Sequence, residues 1–217
     1  TTKAYKGFKK DRRIEFDNTD LADIKANFPF YLEDITPRIS RSAIVKYKNE
    51  SDNYTTSAVA PGHQKVEKTI LMEGRFINQR DLMERTKVIV IGRLVAEDLF
   101  KNENAIGKYL DIGNVMFRVV GVFQDSGGDR EERMIYMPYT TRQHIEKGND
   151  KVDQIVVTFP PRIGNAGSLA FEKKLRLFLK QKKSIDPTDS SGIFVNNSAD
   201  NFKRNQQFAN VLQWIVT

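Results

Sequence analysis

The stretch that decides the fold of this chain is residues 72–138, MEGRFINQRDLMERTKVIVIGRLVAEDLFKNENAIGKYLDIGNVMFRVVGVFQDSGGDREERMIYMP. Within it, residues 87–91 (KVIVI) form a β-branched run that ends at Gly92, which is typical of a strand buried on both faces. Residues 93–100 follow with apolar side chains at helical spacing, which predicts a short amphipathic helix. We therefore predict one compact unit built around this strand and helix.

A hairpin and a charged loop are predicted in the second half of this stretch. Residues 109–112 and 115–123 are strand-like, and only the Gly-Asn pair at residues 113–114 separates them. These two residue types are favoured in two-residue hairpin turns. Residues 124–133 are polar and contain Gly127 and Gly128. We predict that this segment is an exposed loop.

The order of these pieces resembles the extracytoplasmic domain of MacB-like ABC-transporter permeases. The pieces are EGR, an acidic turn, VIVIG, an A-x-x-LF helix, IGKYLDI, FRVVGV and YMPY. Residues 35–40 (ITPRIS) resemble the first core strand of the family, and residues 196–217 resemble the helix that enters its second membrane span. The resemblance covers nearly the whole chain, and its specificity lies in the order of the pieces.

Composition limits the class of protein. The chain has 217 residues, of which 39% are hydrophobic and 29% are charged, as in a folded globular domain. Cysteine is absent, so we expect neither disulfides nor thiolate chemistry. The sequence contains no run of about 18 apolar residues, and we expect the chain as given to be soluble.

The net charge of +7 raises the question of an anionic partner. Basic residues cluster at residues 3–13 and 173–183. No helix-turn-helix, RRM or zinc-finger pattern accompanies them, so we expect no nucleic-acid partner. A basic segment beside a membrane is the favoured interpretation, because anionic lipids attract it. The residues concerned are Lys3, Lys6, Lys9 and Lys10.

Apolar runs and turn residues predict further elements outside the central stretch. The predicted strands are residues 31–39, 42–47, 54–59, 154–159 and 193–195. Five helices are predicted. The first is short, capped by Asn18 or Thr19 and stopped by Pro29, and the second lies within residues 63–71 and leads into an extended piece. The third and fourth are residues 139–144 and 167–183, and the last is capped by Ser198.

The last helix has two possible roles. Its apolar residues recur at i, i+3, i+4, i+7 and i+8, and periodicity alone fits either a core-packed terminal helix or a membrane entry. The resemblance implies a membrane entry, where an aromatic side chain suits the interface. The predicted membrane-coupling residues are Phe208, Val211, Leu212, Trp214 and Ile215.

The fold class that we predict is α+β with two subdomains. Strand and helix segments lie on both sides of the self-contained middle, which indicates an insertion. We predict one discontinuous subdomain from residues 1–60 and 152–217, and another from residues 61–151. The resemblance implies the same division, into a membrane-proximal α/β "porter" subdomain and an inserted, mainly-β "sabre" subdomain.

The sequence motifs of common enzyme classes are missing. The nearest match to a P-loop is Gly-Lys at residues 107–108, but Asn102 and Tyr109 occupy positions that require Gly and Ser or Thr. His63 and His144 are the only histidines, which excludes multi-histidine metal sites, and we expect both at the surface or at helix ends. We expect no catalytic residue, cofactor or metal in this chain.

The resemblance implies a non-catalytic domain on the periplasmic side of the bacterial inner membrane. ATP hydrolysis in a separate nucleotide-binding domain would reach this domain through the transmembrane helices of the permease, and would move it as a rigid body during efflux. This coupling is called mechanotransmission. A homodimer, a periplasmic adaptor and an outer-membrane channel are the further partners that the resemblance implies.

The charged loop is our candidate for partner docking, although loops of this composition are as often solvated turns. The candidate residues are Gln124, Asp125, Ser126, Asp129, Arg130, Glu131, Glu132 and Arg133. An alternative function is a permease ectodomain that binds a lipoprotein or peptide and passes it to a chaperone or sensor. That function predicts an exposed apolar groove.

Overall fold

The structure, a computed structural model, describes residues 2–67, 69–125 and 127–196. The chain divides into two compact units. Unit 1 consists of Thr1–Glu15, Asp23–Glu33 and Phe159–Thr217, and unit 2 of Phe16–Ala22 and Asp34–Thr158.

The described residues of unit 2 are rich in strands. The strands are β1 (Phe16–Asp17), β2 (Asp34–Tyr47), β3 (Glu50–Val59), β4 (Ile70–Gly74), β5 (Val88–Gly92), β6 (Tyr109–Ile112), β7 (Val115–Gln124), β8 (Met134–Pro138), β9 (Lys151–Val152) and β10 (Gln154–Thr158). The α-helices of the described residues are α1 (Asn18–Asn27), α2 (His63–Glu67), α3 (Gln79–Glu84), α4 (Arg93–Phe100), α5 (Asp129–Glu132), α6 (Tyr139–Ile145) and α7 (Gly164–Lys182).

Six strands of unit 2 form a closed ring of hydrogen-bonded pairs. In order around the ring they are β2, β3, β8, β5, β7 and β6. The short strand β6 pairs with β7 on one side and with β2 on the other, and so closes the ring. Strands β10 and β4 lie outside it, on β2 and β7 respectively. Closure leaves the six strands with few unpaired edges.

The interior of the ring is the main hydrophobic core. Side chains alternate along each strand, so that on β6 Leu110 and Ile112 are buried while Tyr109 is exposed. Helix α4 adds Val95 and Leu99 to the same buried cluster. The amphipathic face of α4 therefore packs on the core, and its polar residues face outward.

Several predictions from the central stretch are confirmed. The predicted strand at residues 87–91 is β5, and the predicted helix at residues 93–100 is α4. The predicted hairpin is the antiparallel pair of β6 and β7, in which Ile112 lies opposite Val115 across the turn. The mixed α and β content also agrees with the predicted class.

The predictions for the first part of the chain need correction. The two strands predicted at residues 31–39 and 42–47 are one continuous strand, β2. The cap of α1 is Asp17 rather than Asn18 or Thr19, because its Oδ1 atom accepts the backbone N–H of Thr19 at 2.9 Å.

The division into units also falls elsewhere than the predicted boundaries at residues 60 and 152. Strands β2 and β3 pair along ten residues, from Arg38 opposite Val59 to Tyr47 opposite Glu50. Strand β3 then pairs in parallel with β8 of the middle segment. Because these ladders join both strands to the ring, they belong to unit 2.

The predicted acidic turn after residues 73–75 (EGR) is instead a helix, α3. The side chain of Asn78 accepts the backbone N–H of Asp81 at 3.0 Å, and Asp81 in return accepts the backbone N–H of Asn78 at 2.9 Å. This reciprocal arrangement is a capping box. The spacing of Asn78 and Asp81 was the sequence signal for it.

Unit 1 is built around α7 and aromatic side chains. Phe28 makes edge-to-face contacts with Phe171 and Phe178 of α7, each at a centroid distance of 5.4 Å. The prediction of a strand at residues 193–195 is wrong, because that segment is irregular and Phe194 is 89% exposed. The helix predicted at residues 167–183 starts three residues earlier, at Gly164.

The ring closure can be tested by truncating adjacent side chains of β6. Leu110→Ala should lower the free energy of unfolding by about 2–5 kcal/mol, because it leaves a cavity in the core. Tyr109→Ala should lower it by less than about 1 kcal/mol, because that side chain is 54% exposed on the other face. Urea unfolding measures both, and equal losses would contradict the ring.

Candidate partner-docking site

The predicted docking segment, residues 124–133, connects β7 to β8 and contains α5. Its exposed side chains are Asp129, Arg130 and Arg133, and Glu132 is buried. Gln124, Asp125 and Glu131 are half-buried, and Ser126 lies outside the described residues. The prediction is an exposed loop over the whole segment, whereas the structure shows exposure only at its tip.

The buried carboxylate of Glu132 anchors the segment. It is 7% exposed, and its Oε2 atom accepts a hydrogen bond from Nη2 of Arg93 at 2.5 Å. Its Oε1 atom accepts the backbone N–H of Asp125 at 3.1 Å. One side chain therefore joins the start of the segment, its end and the first turn of α4. The hydrogen bond that Arg93 donates to Glu132 also raises the pKa of Arg93.

Close backbone packing adds to this anchor. A Cβ atom at Gly92 would lie 2.0 Å from the carbonyl oxygen of Glu132. No side chain fits there, so glycine at the end of β5 lets the backbone of α5 approach the ring. The junction of β5 and α4 therefore supports the docking segment directly.

A second anchor lies at the other end of α4. Arg133 forms an ion pair with Asp98, and Asp98 also accepts a hydrogen bond from the hydroxyl of Tyr54 at 3.1 Å. Burial, together with Asp98, raises the pKa of Tyr54, so its phenol stays a neutral donor. Both anchors rest on α4, and the charged side chains of Asp129 and Arg130 project from a fixed base.

A shallow cleft of about 280 Å³ adjoins this second anchor. Most of its lining is polar or charged, which suits a charged group of a partner better than an apolar ligand. The lining residues are Glu50, Ser51, Asp52, Tyr54, Asp98, Leu99, Lys101 and Arg133.

The histidines lie in contrasting places. His144 is exposed on α6. His63 begins α2, which agrees with the predicted helix-end position, but it is fully buried and does not lie at the surface. Nη2 of Arg38 lies 3.1 Å from Nε2 of His63. Because arginine can only donate, Nε2 accepts and the proton resides on Nδ1. Burial and the charge of Arg38 lower the pKa of His63 to about 3, so the ring is neutral at pH 7.

The predicted membrane-coupling residues, Phe208, Val211, Leu212, Trp214 and Ile215, lie outside the described residues. Across residues 2–67, 69–125 and 127–196, no helix combines the length and the apolar character needed to span a bilayer. The same ranges hold no group of three or more side chains suited to binding a metal ion.

The anchor can be tested with two adjacent glutamates. Glu132→Ala should lower the free energy of unfolding by about 1–3 kcal/mol, because two partly buried hydrogen bonds are lost. Glu131→Ala is the matched control and should change it by less than about 0.5 kcal/mol, as expected for a side chain outside the core. Equal effects in urea unfolding would show that Glu132 does not anchor the segment.

The burial of His63 predicts a pH dependence. Its pKa of about 3 in the folded state lies below the ordinary 6.5, so between these values only the unfolded state takes up the proton. Stability that is present above pH 6.5 is therefore lost as the pH falls. Between pH 7 and pH 5 this loss should amount to about 2 kcal/mol.

Urea unfolding at the two pH values measures that loss. His63→Gln should remove most of the pH dependence, because the titrating ring is gone. His144→Gln should keep it, since that side chain is exposed. If His144→Gln removes the dependence and His63→Gln does not, the assignment to His63 is wrong.

Comparison with known sequences identifies relatives of this chain. The family described as MacB-like periplasmic core domain matches residues 2–165. A macrolide export ATP-binding/permease protein MacB of Bdellovibrio bacteriovorus is 31% identical over 194 residues, which cover 87% of this chain and 29% of that protein. The protein of the same name in Wolinella succinogenes is 31% identical over 109 residues, 48% of this chain and 17% of that protein.

Comparison with solved structures shows the same fold. The periplasmic region of MacB from Actinobacillus actinomycetemcomitans matches with a TM-score of 0.75 and 23% identity, over 95% of this chain and 90% of that one. The extracellular domain of the ABC-type transporter YknZ from Gram-positive bacteria matches with a TM-score of 0.69 and 17% identity, over 79% and 86% of the two chains.

This chain spans less than a third of the length of these MacB relatives. The family match covers most of the chain, and the structural matches extend over both of its units. The chain therefore belongs to the family of MacB-like periplasmic core domains, and it is a periplasmic domain of a MacB-like inner-membrane ABC-transporter permease.

Proposed function

We propose that this domain is non-catalytic and transmits the movement that ATP hydrolysis drives elsewhere in its transporter. The observation that carries the proposal is the family match over residues 2–165, within relatives that are named ATP-binding/permease proteins. The chain corresponds to 29% of such a relative, so the nucleotide-binding domain is assigned to a different part of the protein. Movement would reach this domain through the transmembrane helices of the permease.

The division into two units supports a mechanism of this kind. Unit 1 is drawn from both chain ends and unit 2 mainly from the middle, as porter and sabre subdomains would be. We assign the porter role to unit 1 and the sabre role to unit 2. The chain passes between the units four times, after Glu15, Ala22, Glu33 and Thr158. A hinge can act at three of these crossings, because Glu15, Glu33 and Thr158 lie at or next to strand ends, whereas Ala22 lies inside α1.

The closed ring of unit 2 supports rigid-body movement. Its strands are paired on both sides around a packed core, and a close-packed core transmits displacement rather than absorbing it. A displacement applied to one part of unit 2 would then reach the docking segment, because Glu132 and Arg133 hold that segment on α4. We propose that the tip, with Asp129 and Arg130, contacts a periplasmic adaptor.

The further partners follow from the same mechanism. Two copies of the domain would face each other in a homodimeric transporter, and the adaptor would lead to an outer-membrane channel. The relatives are named for macrolide export, so a macrolide is the first efflux substrate to test.

Charge reversal at the tip tests the docking role in the full-length permease. Asp129→Lys combined with Arg130→Glu keeps the net charge but should lower macrolide export about tenfold or more, because like charges then meet across the interface. Basal ATP hydrolysis by the purified permease should not change. The matched control is Lys147→Glu with Asp150→Lys, a reversal at an exposed turn of the same unit.

The comparison has distinct outcomes. Normal export by the Asp129/Arg130 variant would overturn the docking role, and equal losses in both variants would show a general effect of charge. A full-length permease that exports no macrolide but co-purifies with a lipoprotein or peptide would favour the alternative, an ectodomain that passes this ligand to a chaperone or sensor.

A further inference from the structure

Unit 1 carries the excess positive charge of the chain. It contains 16 Lys and Arg against 8 Asp and Glu, a net charge of +8. Unit 2 contains 19 Lys and Arg against 20 Asp and Glu, a net charge of −1. The basic character of the chain is therefore a property of one unit, and an anionic partner would be attracted there.

The first residues of unit 1 form a turn that exposes several lysines, and we call residues 2–13 the basic hairpin. Tyr5 and Phe8 exchange two backbone hydrogen bonds, of 3.2 and 2.9 Å, which leave Lys6 and Gly7 at the tip. The backbone N–H of Asp11 donates to the carbonyl of Thr2 at 2.8 Å and closes the base. The geometry holds the lysines on a defined support.

The basic hairpin is attached to the segment that follows α7. The backbone N–H of Lys3 donates to the Asp189 carboxylate at 2.8 Å, and Nη2 of Arg12 donates to the carbonyl of Ser184, also at 2.8 Å. This bond from Lys3 is the main cause of a lowered pKa of Asp189. The basic hairpin therefore lies next to the C-terminal end of the second basic cluster, residues 173–183.

The lysines of the basic hairpin are available to a partner. Lys6, Lys9 and Lys10 are exposed, and no carboxylate of the described ranges lies within ion-pair distance of them. Phe8 beside them is 46% exposed. On α7, Leu177 is 62% exposed and follows the exposed pair Lys173 and Lys174 by one helical turn.

We propose that the basic hairpin and the exposed face of α7 bind the anionic headgroups of a phospholipid membrane. Basic side chains that surround isolated apolar ones are typical of interfacial membrane contacts, where lysines attract the surface and apolar groups enter it. The cationic side chain at the hairpin tip is lysine, whose charge is compact and mobile. Recognition of a specific protein carboxylate more often uses arginine, whose planar guanidinium group can donate two hydrogen bonds to it, so lysine favours a lipid surface over an acidic protein. The inference rests on the proposed function in one respect, that the domain works beside the membrane of its permease.

The test is binding of the 217-residue chain to vesicles. The vesicles contain phosphatidylcholine alone or with about 30% phosphatidylglycerol, at low and high salt. The chain should bind only the anionic vesicles, and less tightly at high salt. The triple variant Lys6→Gln, Lys9→Gln and Lys10→Gln should bind about a hundredfold less tightly, at about fivefold for each lysine.

A matched variant removes the same charge from unit 2. It combines Lys46→Gln, Lys87→Gln and Lys147→Gln, which are all exposed, and should change vesicle affinity by less than about threefold. Unchanged far-ultraviolet circular dichroism and unfolding midpoints would show that both variants fold.

Three results would overturn the proposal. They are equal binding to neutral vesicles, an equal loss in the unit 2 variant, and no binding of the folded wild-type chain to anionic vesicles. The last result would favour an acidic protein as the partner of this surface. Vesicle binding involves no transport, so its failure leaves the export assay of the Asp129/Arg130 variant to decide the proposed function independently.

Discussion

The structure of unit 2 depends on the pairing of β6 with β2. Only two residue pairs make this contact, Val45 with Ile112 and Lys46 with Asp111, but they convert an open sheet into a ring. Without closure, the inner faces of β2 and β7 would be open to water at this edge, and the burial of Leu110 and Phe117 would be lost. The same closure gives α4 the core on which it packs.

The position of the docking segment depends on this core. Helix α4 packs on the ring through Val95 and Leu99. On its polar side, Arg93 forms an ion pair with Glu132, and Asp98 forms one with Arg133. Helix α4 therefore holds the segment at its C-terminal end, and Glu132 in turn binds the start of the segment at Asp125. A charged tip on such a base would suit the proposed transmission of movement to a partner, because little of the movement would be lost within the loop.

Local sequence signals predicted the elements whose causes are local. Strand β5, helix α4 and the β6–β7 hairpin follow from β-branched runs, helical spacing and a Gly-Asn turn. The spacing of Asn78 and Asp81 that indicates the capping box of α3 is also present in the sequence, although the prediction for this segment is a turn. Burial of Glu132 and His63 could not be predicted, because neither flanking sequence shows which distant backbone or side chain surrounds them.

The sequence by itself determined the family, the order of the central elements, the docking segment as a charged connection, and a net charge of +7. Only the tertiary structure decided that the sheet closes through β2 and β6, that Glu132 anchors the docking segment, and that the basic hairpin lies next to the end of the second basic cluster. The physical reason is common to all three. Each depends on a contact between residues far apart in the chain, and such contacts leave no periodicity or spacing in the sequence around either partner.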